Sequence, residues 1–183
     1  MLEFNYDLNY KELDFTDEET RKLYRIGRGE QGVLLVRPYT DDICAHWRFK
    51  TPKIAIESAH AIFDMYLDYL EQQDFIGMDM CRKFLEMGFT RSRRYANHRT
   101  GKKYDDEGKV RPQEPDHATC DFAKSAKIFK NVRDMVAKND IYINMRKEWR
   151  SNESTHASRV DTLAAASNVK RSFYSRRSNE VSR

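Results

Sequence analysis

Residues 51–97 read TPKIAIESAHAIFDMYLDYLEQQDFIGMDMCRKFLEMGFTRSRRYAN, and this stretch decides the fold. Thr51 followed by Pro52 is typical of a helix start, with threonine as the N-cap and proline in the first turn. Apolar residues recur at helical spacing to about Gln73, and a second helical pattern begins near Asp74. Because so few residues separate the two patterns, we predict an antiparallel helical hairpin of residues 52–73 and 74–97.

The apolar residues of this hairpin form the candidate core. They are Ala55, Ala59, Ile62, Phe63, Tyr66, Leu67 and Leu70 in the first helix and Phe75, Met78, Cys81, Phe84, Leu85 and Phe89 in the second. Gly88 lies on the apolar side of the second helix, where it either allows a close helix approach or ends the helix. We expect the helix to continue to about Asn97.

Three further helices are predicted outside the hairpin. The sequence Thr16-Asp17-Glu18-Glu19 has the form of a capping box and predicts a short helix that ends near Ile26. Asp116 is a candidate cap for a helix through Val136, and Asn139 or Asp140 for a last helix that ends near Trp149.

Two segments indicate β structure. The run Val33-Leu34-Leu35-Val36, stopped by Pro38, predicts a short buried strand, and residues 102–111 predict a small hairpin. The expected fold class is therefore mainly α with a small β element (α+β), built on the helical hairpin.

The domain organisation follows from length and composition. A chain of 183 residues is typical of one domain with room for a tail. Eight of the last 33 residues are serine, and that segment carries six basic and three acidic residues. We predict one globular domain over residues 1–150 and a Ser/Arg-rich tail over residues 151–183.

Charge is unevenly distributed along the chain. The formal net charge is +4, yet residues 91–103 contain six basic residues and no acidic one. Such a local surplus favours a specific anion site over general coating of nucleic acid.

Several classes of protein are disfavoured. Cys44, Cys81 and Cys120 are far apart, and Cys44 with His46 is a poor chelate, so neither a disulfide framework nor a metal site is predicted. The acidic start and the lack of a long apolar run speak against a signal peptide and a membrane helix. We expect a soluble cytoplasmic protein, and no cofactor is indicated.

The basic end of the second hairpin helix is the first candidate site. If the helix continues, Arg91, Arg94, Tyr95 and His98 share one face, which can bind a phosphate. The alternative is a solvated face whose arginines pair with acids elsewhere, although such exposed pairs contribute only about 0–1 kcal/mol.

A second candidate is the segment His46-Trp47-Arg48-Phe49-Lys50, which alternates aromatic and basic residues before a helix N-terminus. Cations beside a helix N-terminus are a recurring phosphate-binding arrangement. Equally, the two aromatic rings can form core contacts while Arg48 and Lys50 remain in water.

The third candidate, Gly27-Arg28-Gly29-Glu30-Gln31-Gly32, matches G-x-G-x-x-G. A dinucleotide fold needs a strand before this motif and a helix after it, and here the predicted order is reversed. The glycines can still form an anion nest beside Arg25 and Arg28. Glu30 is the best candidate carboxylate if the protein performs catalysis.

Three stretches together support a family resemblance: YRIGRGEQGVLLVRPY at 24–39, HWRFKTP at 46–52 and GMDMCRKFLEMGFTRSRRYANH at 77–98. The chain resembles a family of small cytoplasmic proteins of unassigned function found in bacteria and tailed bacteriophages. The resemblance covers roughly residues 4–150 and implies one soluble domain. It implies no activity, cofactor or catalytic residue.

We therefore expect a binding protein that recognises a phosphate-bearing ligand, a nucleotide or nucleic acid, through an arginine-rich site. The residues predicted to bind it are Arg25, Arg28, Gln31, His46, Arg48, Lys50, Arg91, Arg94, Tyr95 and His98. One alternative is an enzyme for a phosphorylated metabolite or nucleotide, with Glu30 and His98 as acid–base groups. Another is a phage or host interaction protein that uses Trp149, Phe173, Tyr174 and the basic tail.

Overall fold

A computed structural model describes residues 3–153 of the chain, and this part is helical. Its six helices are α1 (Glu18–Arg21), α2 (Tyr39–His46), α3 (Pro52–Glu71), α4 (Phe75–Asn97), α5 (Asp121–Ala137) and α6 (140–153). None of the helices in residues 3–153 combines the length and the apolar content needed to cross a membrane.

The helical hairpin is confirmed. Thr51 caps α3, because its Oγ1 accepts a hydrogen bond from the Ile54 amide at 3.3 Å. Asp74 caps α4 in the same way, with Oδ1 accepting from the amides of Ile76 and Gly77. Only Gln72–Asp74 separate the two helices, so the chain reverses direction between them.

The first half of α4 is the centre of the protein. Every residue from Phe75 to Leu85 is buried, and α4 contacts α2, α3 and α5. The helix continues through Gly88 as predicted. The ring of Phe129 on α5 lies where a side chain at that position would project. A β-carbon at Gly88 would lie 2.5 Å from Phe129 Cδ1. Glycine therefore allows α5 to pack closely on α4.

The predicted β element is wrong, since residues 3–153 contain no strand. Residues 33–36 lie in tight turns, where the Val33 amide donates to Glu30 O at 3.2 Å and the Leu35 amide to Gly32 O at 2.9 Å. These local bonds occupy backbone groups that a strand would offer to a neighbour. Residues 102–111 form a turn with one isolated antiparallel bridge, between Tyr104 and Val110.

Helix boundaries outside the hairpin differ from the predicted ones. α1 is capped by Asp17 and ends at Arg21 rather than near Ile26. α5 begins at Asp121, after turns that occupy the segment from Asp116. The sequence patterns also missed α2, which buries only Tyr39, Thr40 and Ile43.

α6 extends beyond the predicted end near Trp149. Residues 151–153 are helical, and Glu153 is buried with its Oε1 accepting from the Ile26 amide at 2.8 Å. The remainder of the predicted tail, residues 154–183, lies outside the described residues.

Candidate functional site

The glycine loop, residues 27–32, is closed by its own side chains. Gln31 Oε1 accepts from the Arg28 amide at 2.7 Å. Gly27, Gly29 and Gly32 all have positive φ, and the Phe4 ring covers Gly32 so closely that a β-carbon there would lie 2.1 Å from Phe4 Cε2. The Arg28 amide, one of the backbone donors predicted to bind an anion, is therefore already occupied.

Below the loop lies a buried ionic cluster formed by Asp79, Arg82 and Lys83 of α4 with Tyr24 and Tyr142. Both tyrosine hydroxyls donate to Asp79 at 2.5 Å, and Arg82 Nε donates to it at 2.9 Å. Lys83 Nζ lies 3.7 Å from Asp79 and donates to Gln31 O at 2.8 Å. Arg82 donates to Gly29 O at 3.3 Å. The cluster thus links the loop to α4.

Burial sets the protonation behaviour of this cluster. Loss of solvent lowers the pKa of Lys83 to about 8. Burial alone would raise the pKa of Asp79, but the neighbouring Arg82 and Lys83 hold it below its ordinary value. Burial also raises the pKa of both tyrosines. Asp79 is therefore a carboxylate at neutral pH.

Sequence reasoning missed this cluster. The otherwise apolar stretch MDMCRKF contains Asp79, Arg82 and Lys83 at positions i, i+3 and i+4. This helical spacing of opposite charges is the sequence pattern that could have predicted the cluster. None of the three lines any of the four depressions described below. We interpret the cluster as structural.

The aromatic groove is a surface depression of about 830 Å³ between the α2–α3 connection, the end of α4 and the start of α5. Four half-buried rings line it: Trp47, Phe49, Tyr95 and Phe122. The Phe49 ring centre lies 5.0 Å from Trp47, 5.7 Å from Tyr95 and 6.2 Å from Phe122. No local sequence pattern indicates that Phe122 joins the other three rings.

Contacts with the core hold the groove in place. Trp47 Nε1 donates to Phe84 O at 3.1 Å, and the Arg48 amide donates to Ser58 Oγ at 3.0 Å. Arg48 Nη1 donates to Cys44 O and Trp47 O at the end of α2. Arg48 and Lys50 are exposed, and no acidic residue among residues 3–153 lines the groove.

The basic depression, of about 420 Å³, lies at the end of α4. Its charged members are Arg93, Arg94 and Lys103, and none of the described acidic residues lines it. His98 also lines it, and its buried Nδ1 has no hydrogen-bond partner among residues 3–153. Arg93 donates to His117 O at 3.0 Å and to Asn97 Oδ1 at 2.8 Å. Arg93, which the predicted binding face did not include, therefore lines the same depression as Arg94.

The remaining predicted residues are dispersed. Arg91 and Glu30 line a depression of about 230 Å³, and Arg25 lines one of about 20 Å³ next to Glu153. Arg28 and His46 are exposed and line none of the four depressions, whereas the Gln31 side chain is bonded within the loop. The structure brings together Arg48, Lys50 and Tyr95 in the aromatic groove and Arg94 and His98 in the basic depression.

The two acid–base candidates line different depressions. Glu30 accepts from Thr90 Oγ1 at 2.9 Å and lines the same depression as Arg91, while His98 lines the basic depression. Among residues 3–153, no three His, Cys, Asp or Glu side chains are grouped so that they could hold a metal ion.

The residues suggested as anchors for a protein partner fall into two groups. Trp149 stacks on Phe75 with ring centres 5.0 Å apart, and its Nε1 donates to Tyr24 O. It is thus part of the interior packing. Phe173, Tyr174 and the basic tail lie outside the described residues.

Fold and surface together define a helical protein with an aromatic groove and a separate basic depression. The chain belongs to the family described as a domain of unknown function, DUF4385, whose model matches residues 5–152. This result confirms the resemblance to a family of unassigned function, and the matched region includes both depressions. The searches of curated proteins and of solved structures returned no match.

Proposed function

We propose that the aromatic groove binds the base of a nucleotide or of a nucleic acid, with Arg48 and Lys50 contacting its phosphate. The observation that carries this proposal is the set of four half-buried rings that line one open depression together with two exposed cations. A bacterial or phage-infected cytoplasm, which the family resemblance implies, is the setting that we propose for this binding.

The chemistry of the lining supports a planar ligand. Stacking of a base on an aromatic side chain contributes roughly 1–3 kcal/mol and tolerates any base, because every base has a π face. Phe75, Phe84 and Phe129 in the core are fully buried. The groove rings instead keep part of their surface accessible.

The charges favour a ligand that is also anionic. Arg48 has its Nη1 bonded to backbone carbonyls, which fixes the guanidinium at the groove, and Lys50 is exposed nearby in the sequence. Since the described part of the chain contributes no acidic residue to the lining, a phosphate there is attracted by the two cations without repulsion from these residues. An uncharged apolar ligand would not use these two cations.

A thermal-shift panel tests the proposal. Thymidine, thymidine monophosphate and hexathymidylate are compared, since binding to the folded state raises the unfolding temperature by mass action. We expect the two phosphorylated probes to raise the unfolding temperature and thymidine to raise it by a smaller amount. Phe122→Leu should reduce the shift, whereas Phe63→Leu, a matched change at a half-buried ring outside the groove, should not. No shift with any probe, or equal effects of the two variants, would overturn the proposal.

A further inference from the structure

We propose that the basic depression binds the phosphate of a neighbouring nucleotide, so that the ligand is single-stranded nucleic acid rather than a free nucleotide. This inference rests on the proposed function, because it takes the aromatic groove as the site of the base.

The basic depression has the donors that a phosphate needs. The two bonds from Arg93 to His117 O and Asn97 Oδ1 fix its guanidinium. Arg94 and Lys103 are exposed and have no acidic partner among residues 3–153. Cations without paired acids are free to form charge-assisted hydrogen bonds with phosphate oxygens.

His98 gives a second reason to place a polar ligand here. Its ring is 6% exposed, and Nδ1 has no hydrogen-bond partner within residues 3–153. Buried polar atoms in proteins are nearly always bonded, so this nitrogen is an unsatisfied polar atom behind the wall of the depression, and a ligand oxygen reaches it only if the ring turns. The partial negative charge at the end of α4 opposes an anion, but it is small beside three full positive charges.

The two depressions are neighbours. Arg94 lines the basic depression and Tyr95, the next residue of α4, lines the aromatic groove. Gly101 lies against the Tyr95 ring, where a β-carbon would be 2.9 Å from Tyr95 Cζ, and the chain then continues to Lys103. A helix with its side chains is only about 10–12 Å wide. A strand of a few nucleotides can therefore span both depressions.

The form of the groove favours a single strand. Bases in a duplex are stacked on each other and paired, so they reach aromatic side chains only after they are unstacked. In a single strand the bases stack on exposed rings while the backbone follows a basic surface. An aromatic groove beside a basic depression has this arrangement.

Binding of thymidine monophosphate, hexathymidylate and a hexamer duplex to the full chain tests the inference. Arg94→Gln/Lys103→Gln is compared with Arg91→Gln/Lys102→Gln, which removes the same charge outside the basic depression. We expect the first variant to weaken binding of hexathymidylate about tenfold and the second less than about threefold, because each exposed charge contact contributes up to about 1 kcal/mol. Neither should change binding of the mononucleotide by more than about twofold.

Salt dependence provides a second measurement. Each phosphate contact in a single strand contributes about 0.7 to the slope of log K against log salt, so the first variant should lower that slope by about 1.4. Equal effects of the two variants, or duplex binding as tight as that of hexathymidylate, would overturn the inference. Phe122→Leu then separates the proposals: if it still weakens binding of thymidine monophosphate and of hexathymidylate, the proposed function stands without the second site. If wild type binds neither probe, the proposed function fails.

Discussion

The ammonium group of Lys83, buried in the centre of α4, donates to the backbone carbonyl of Gln31 in the glycine loop at 2.8 Å. The same ammonium lies over the rings of Phe4 and Tyr24, at 5.4 and 5.0 Å from their centres. Loop, N-terminal segment and core helix therefore meet at one cation. The G-x-G-x-x-G motif is held by this cluster from below.

Stability should depend on pH through Lys83. Its folded pKa of about 8 is below the ordinary value of 10.5, so between these pH values the unfolded chain binds the extra proton. Stability attributable to Lys83 therefore rises as pH rises above 8. Relative to Lys83→Met, the wild type should gain about 2 kcal/mol between pH 7 and 9.5, at 1.36 kcal/mol per pH unit above the folded pKa.

Denaturant unfolding of both proteins at the two pH values measures this gain. Ionisation of Cys81 and of the buried tyrosines in the unfolded state lowers stability at high pH, but equally in both proteins, so it cancels in the comparison. The difference in unfolding free energy between the wild type and Lys83→Met could instead stay constant within about 0.5 kcal/mol, the size of a typical surface substitution. That result would show that Lys83 is not buried as described.

Asp79→Asn should be strongly destabilising. It removes the one carboxylate of the buried ionic cluster and leaves Arg82 and Lys83 buried without a counter-charge. Breaking a buried ion pair in this way costs about 3–5 kcal/mol. Asp68→Asn, an exposed change on α3, should cost less than about 0.5 kcal/mol. Unfolding in urea at pH 7 compares the two, and similar midpoints would contradict the described cluster.

Gly88→Ala should destabilise the protein although alanine is the better helix former. The new methyl group would lie 2.5 Å from Phe129 Cδ1, so α5 must move or Phe129 must change rotamer. Overpacking of this kind costs about 1–3 kcal/mol, more than the 0.5–1 kcal/mol that alanine gains in a helix. In a Phe129→Leu background the same substitution should cost less. A stabilising effect in the wild-type background would mean that the helices are farther apart than described.

Ligand preference should reside outside residues 154–183. A chain ending at Glu153 should bind hexathymidylate within about twofold of the full chain at physiological salt, and it should lose part of the attraction at low salt. The truncation point matters because Glu153 accepts from the Ile26 amide. Complete loss of binding on this truncation would show that the ligand binds to the removed segment.

The hairpin could be predicted because its signals are local. Thr51, Pro52 and Asp74 determine where helices begin through bonds within their own first turns. The strand predicted at 33–36 could not be judged locally, because a strand needs a partner edge and residues 3–153 contain none.

Local patterns were also insufficient for the candidate site. Arg48, Lys50 and Tyr95 were predicted as ligand residues and lie in one groove, but the contact between Phe122 and Phe49 joins residues far apart in sequence. The buried charges Asp79, Arg82 and Lys83 of α4 were missed. The apolar residues of a helix predict which side faces the core, but they do not show that other segments also cover its polar side. The predicted site also included Arg25, Arg28 and Arg91, because their segments are rich in arginine. In the fold, none of these three residues lines the aromatic groove or the basic depression.

Quenching of Trp47 fluorescence tests the proposed base-binding groove most directly. The chain has two tryptophans, and in Trp149→Phe only Trp47, a wall of the groove, remains. Titration of this variant with hexathymidylate should give saturable quenching, and adding Phe122→Leu should weaken the affinity at least about fivefold, the lower range of a lost stacking contact. Phe63→Leu in the same background should leave the affinity unchanged. Absence of saturable quenching in the folded variant, or equal affinities with Phe122→Leu and Phe63→Leu, would contradict the account.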